Sequence, residues 1–72
     1  MSLIDKIKNY IKEWYNSENN ESEIFIIVPK KEVAGIRKWL KRYTKTDEGN
    51  WFGYLFLPIA NTNEFCILML EA

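Results

Sequence analysis

Seventy-two residues, 47% hydrophobic and 15% aromatic, leave room for one domain with one core, and ten basic against ten acidic side chains give no bulk attraction to nucleic acid or anionic membranes. The absence of histidine excludes Ser-His and Cys-His nucleophile pairs and histidine metal sites, and a lone Cys66 excludes an internal disulfide. One core of this size supplies only about 3–5 kcal/mol, so an unusually apolar interior or association with another chain must do the rest.

Ser2 stands three residues before Asp5, as in a capping box, and Leu3, Ile4, Ile7, Tyr10, Ile11, Trp14 and Tyr15 then recur at helical spacing. This predicts an amphipathic helix from residue 2 to about residue 16. Interleaved Asp5, Lys6, Lys8, Lys12 and Glu13 make it neither a signal peptide nor a membrane span, and with one thiol the chain is expected to be cytoplasmic, with no membrane partner. The polar run Ser17–Ser22 reads as a loop.

Ile24–Val28 is a continuous β-branched and aromatic run, the pattern of a strand buried on both faces, and Pro29 ends it while suiting the first turn of a helix. From Lys30 to Tyr43, Val33, Ile36, Trp39, Leu40 and Tyr43 share one helical face. Gly35 lies off that face and costs the helix about 1 kcal/mol relative to Ala, which suggests close approach by something. Thr44–Asn50 is turn-rich, and Trp51–Leu57 and Phe65–Leu70 read as two more strands around a hairpin tip at Asn61-Thr62-Asn63. Gly53, inside the first of these strands, suggests a bulge or a close contact.

The order α-β-α-β-β predicts a small two-layer α/β (α+β) sandwich, residues 1–72 forming a single domain. A right-handed crossover makes strands one and two parallel, adjacent or separated by strand three, so a three-stranded mixed sheet with a C-terminal hairpin is expected. From Glu23 onward, strand, helix and terminal hairpin resemble in topology the second half of the small TusA-like sulfur-carrier fold. That family carries its persulfide on a Cys-Pro motif with no counterpart in this chain, where Cys66 lies elsewhere, so the resemblance implies no sulfur transfer.

All three strands are apolar at nearly every position, whereas a sheet with one wet face alternates apolar and polar residues. Two helices cover one face of such a sheet well or two faces poorly. With both on one side, the other face exposes Ile24, Ile26, Val28 or Phe25, Ile27, with partners from Phe52, Tyr54, Phe56 and Cys66, Leu68, Leu70; the alternative is that helix one crosses over and covers the second face. Trp51, beside the Asp-Glu-Gly-Asn turn, is a candidate exposed anchor, whereas Trp39 and Tyr43 fall on a core-facing helical face. The candidate interface is therefore Trp51, Phe52, Tyr54, Phe56, Leu68 and Leu70.

Charge is segregated along the chain. Residues 30–45 carry seven basic side chains against Glu32 alone, a local +6, balanced by −2 before them and −4 after. Lys30, Lys31, Arg37, Lys38, Lys41 and Arg42 fall opposite Ile36 and Leu40, making a basic outer face of the second helix. Cys66 lies in an apolar run without a basic neighbour, as an inert buried thiol would, and the isolated Gly35, Gly49 and Gly53 form no phosphate loop. Asp47, Glu48 and Glu64 could meet at one sheet end around a hard cation, though three carboxylates near turns are usually just solvated. No catalytic residue, cofactor or metal is assigned. The expected function is a non-enzymatic protein-interaction module, a small regulator or inhibitor, that self-associates through an apolar sheet face and could have a further protein target. The alternative is a nucleic-acid-binding module using the basic helix face.

Overall fold

In the computed structural model, which describes residues 2–17 and 21–72, the chain runs through α1 (Leu3–Tyr15), β1 (Glu23–Pro29), a 3-10 turn (Lys30–Glu32), α2 (Val33–Tyr43), β2 (Phe52–Pro58) and β3 (Glu64–Glu71). Ser2 is extended and its Oγ accepts the Asp5 backbone N–H at 3.1 Å, so the cap anticipated from sequence starts α1. Asp5 in the first turn and Lys12 in the last oppose the helix dipole favourably. Of the predicted loop Ser17–Ser22, residues 18–20 lie outside the described residues. The Trp14 indole N–H donates to the Glu21 carbonyl at 2.7 Å and ties the returning chain to α1.

Pro29 completes β1 rather than preceding a single helix. Residues 30–32 wind as a 3-10 turn, and no side chain accepts from its first N–H groups, while Lys30 N–H is held by the Asn63 carbonyl at 2.7 Å. At the hairpin tip Asn61 takes φ 63°, and Ile59 N–H donates to the Glu64 carbonyl at 3.1 Å.

The strand order is β1-β3-β2, and both ladders are antiparallel. This corrects the mixed sheet expected from the crossover. β1 and β2 do run in the same direction, but the hairpin returns β3 into the space between them, so each outer strand hydrogen-bonds to a strand running the other way. Gly53 pairs with Leu70 without a bulge, and a Cβ built there would meet nothing within 4 Å, so neither reason suggested for this glycine holds.

Both helices lie on one side of the sheet. Ile7, Ile11 and Trp14 of α1 and Val33, Ile36, Leu40 and Tyr43 of α2 share a core with Ile24 and Val28 of β1, Ile67 and Met69 of β3 and Phe52 of β2. Ile26, Tyr54, Phe56 and Phe65 pack against it on the same sheet face. Leu40, Ile67 and Met69 are 0% exposed, so the centre of this single layer of packing is dry. The alternative in which α1 crosses to the opposite face is not adopted.

Candidate functional site

Strand alternation sends every second residue to the face that no helix covers. Register fixes the neighbours there. Phe25, Leu68 and Leu55 form one cross-strand row, Ile27, Cys66 and Leu57 the next, and Leu70 stands between Glu23 and Gly53 in a third. Phe25 is 61% exposed, Ile27 53%, Leu55 51% and Leu57 45%. The central-strand residues Cys66, Leu68 and Leu70 are half-buried by their neighbours. Charge appears on this face only at its ends, as Glu23 on β1 and Glu64 on β3, which pairs with Pro29. The chain exposes 5238 Å², about 500 Å² more than a self-contained protein of 8.6 kDa is expected to expose.

The candidate interface residues divide between the two faces. Leu68 and Leu70 lie on the open face, whereas Phe52, Tyr54 and Phe56 point toward the helices, and Leu55 and Leu57 take their place. The physical reason is that β2 is apolar on both parities, so only its register against β3, residue 55 opposite 68, decides which set is outward. Trp51 is also not a free anchor. Its ring packs at 4.6 Å from Trp14, 5.0 Å from Phe52 and 5.2 Å from Tyr15, and its indole N–H donates to the Glu48 carbonyl at 2.8 Å. Cys66, expected in the core, is a half-buried free thiol in the second row of the open face. Phe25 and Ile27 are one of the two sets that the sequence offered for the open face, whereas Leu55 and Leu57 could have been placed beside Leu68 only by knowing the register.

The basic residues form a second surface on the opposite side of the sandwich. Lys30, Lys31, Lys38, Lys41 and Arg42 are exposed, as is Lys45 beyond the helix. Arg37 is bent back, its guanidinium 4.8 Å from the centroid of Phe56, and so covers the inner edge of β2. Trp39 stacks on Tyr43 at 4.6 Å with an interplanar angle of 16°, which turns both rings into the core side.

A cleft of about 440 Å³ lies where the C-terminal ends of α1 and α2 meet the 44–51 loop, lined by Tyr15, Tyr43, Asp47, Glu48 and Trp51 among others. Burial and the adjacent Glu48 carboxylate, which the phenol bonds, raise Tyr43 above the usual 10.0. The loop is rigidly made: Thr46 Oγ–H donates to the Tyr43 carbonyl at 2.7 Å, and a Cβ at Gly49 would collide with that same oxygen. Asp47 and Glu48 precede β2 at the sheet end that holds Phe52 and Glu71, and Glu64 lies at the other end, so the three carboxylates do not meet. Among the described residues no group of three or more potential ligands is placed to hold a metal ion, and no helix is long and apolar enough to cross a membrane.

Compared with known proteins, the chain matches no protein-family model, no curated protein and no solved structure. The topological likeness to sulfur carriers therefore transfers no residue role to this chain.

Proposed function

We propose that this chain is a non-catalytic interaction module, of the size of a small regulator, that self-associates by stacking the open sheet face of one copy on that of a second. The observation that carries this reading is the two complete apolar rows, Phe25–Leu68–Leu55 and Ile27–Cys66–Leu57, left without cover by a chain that has placed both helices on the other side. An identical copy offers a partner surface of the same shape with no charge in its centre, and two-fold dimers are the commonest assemblies.

Two faces of about 500 Å² each would bury about 1,000 Å² in total, at the lower limit for a specific interface, so a dimer that dissociates on dilution is expected. Light scattering after size exclusion, over a tenfold range of concentration, is expected to move from 8.6 kDa toward twice that mass. Leu68→Glu, which places a charge in the middle of the face, is expected to hold the chain at the lower mass with unchanged circular dichroism. Alkylation of Cys66 should slow as wild-type concentration rises and not in the variant. A wild-type chain that stays monomeric at millimolar concentration overturns the reading.

A further inference from the structure

The outer face of α2 contains a helix-weakening residue that the fold itself does not use. Gly35 is exposed in the first turn of α2, its φ is negative, and a Cβ built there would meet nothing within 4 Å. An alanine would therefore fit and would favour the helix, by less than the about 1 kcal/mol found in a helix interior. The close approach that a helical glycine normally serves does not occur among the described residues.

What surrounds Gly35 is basic. Within α2, Gly35, Lys38 and Arg42 follow one another at three- and four-residue steps and lie along one stripe, with Ala34 and Lys41 on the adjoining one; Lys31 stands in the 3-10 turn just before the helix and Lys45 just beyond its end. Gly35 and Ala34 together make a shallow saddle with Lys31 on one side and Lys38, Arg42 and Lys41 on the other. Every one of these side chains is exposed, and none of the four buried residues of α2 falls on this arc.

We propose that this saddle seats the phosphodiester backbone of double-stranded nucleic acid, the lysines and Arg42 contacting phosphates on both sides of the point where the backbone passes over Gly35. The makeup of the surface selects this partner over others. A protein interface carries an apolar centre, and here the uncharged residues are only alanine and glycine. A membrane-surface helix presents large apolar side chains to the lipid, and those of α2 are buried in the core. Single-stranded nucleic acid is held by exposed aromatic platforms, and Trp39 and Tyr43 are stacked on each other toward the core. Phosphate contact without base contact binds duplexes irrespective of sequence.

The surface is separate from the open sheet face, so the two readings fail independently. Binding of fluorescent 20-base-pair duplexes of two unrelated sequences is measured against salt concentration. With contacts from Lys31, Lys38, Lys41, Arg42 and Lys45, log affinity is expected to fall against log salt with a slope of about −4 to −5, the same for both sequences. Lys38→Gln with Arg42→Gln should reduce that slope by about 2. Gly35→Gln, which leaves charge unchanged and favours the helix, should weaken binding about tenfold by lifting the backbone off the saddle, while Gly35→Ala raises thermal stability. Leu68→Glu should keep the affinity per chain. No duplex binding at low salt, a slope indifferent to the Lys38 and Arg42 changes, wild-type affinity in Gly35→Gln, or binding to phosphatidylserine vesicles in place of the duplex each overturns the proposal.

Discussion

The two faces of the sheet are made of nearly the same amino acids and live in different solvents. On the inner face Ile67 and Met69 are 0% exposed and Phe52 4%, whereas on the outer face Phe25, Ile27, Leu55 and Leu57 are each about half open. Side-chain chemistry does not make that difference; the placement of two helices does. An apolar strand specifies that both its faces will be covered and says nothing about which cover belongs to its own chain.

Replacing Ile67 and Leu55 by alanine separates the two faces most sharply. Ile67→Ala opens a cavity in the dry centre and should cost about 2–5 kcal/mol, enough to unfold much of a domain this small in urea titration. Leu55→Ala leaves no cavity, and in dilute monomer it should change stability by no more than about 0.5 kcal/mol. Equal costs at the two positions would mean that the outer face is covered in solution at all concentrations.

Gly49→Ala attacks the inner cover at its end. The added methyl must displace the Tyr43 backbone, and a loss of about 1–3 kcal/mol in denaturant unfolding is expected. Alkali probes the same corner. Because the folded Tyr43 phenol loses its proton above the ordinary value of 10.0, the folded state binds more protons than the unfolded one in that range. Its contribution is fully present below the unfolded value and is lost as pH rises through the folded one. Tyr43→Phe should flatten the fall in stability above about pH 10. A comparably small effect is expected on the outer side, where Gly53→Ala gains about 0.5 kcal/mol by restricting the unfolded chain and adds a methyl to the open face.

Helix and strand positions were legible because they rest on local signals. Ser2 with Asp5, the spacing of Ile7, Ile11 and Trp14, and the breaks at Pro29, Pro58 and the Asn61 turn each act within a few residues. The central position of β3 was not legible, because a crossover rule fixes the direction of two strands and not what slides between them. The outward set on β2 was lost for a related reason: with Phe52, Tyr54 and Phe56 on one parity and Leu55 and Leu57 on the other, no hydrophobic period distinguishes in from out. Trp51 misled for a third reason. Its sequence neighbours are turn residues, but α1 delivers Trp14 and Tyr15 to it from across the fold.

Placing both helices on one side also gives the sandwich two poles, one greasy and one cationic. With layers about 10 Å apart, a pair stacked sheet to sheet carries its two α2 axes about 30 Å from each other and facing away. Neither cationic pole can help the other hold a single straight duplex. The pair would instead be a bivalent cross-link, able to draw two duplexes, or two distant stretches of one, to a fixed separation, and a pair that separates on dilution would make bridging a function of how much protein is present.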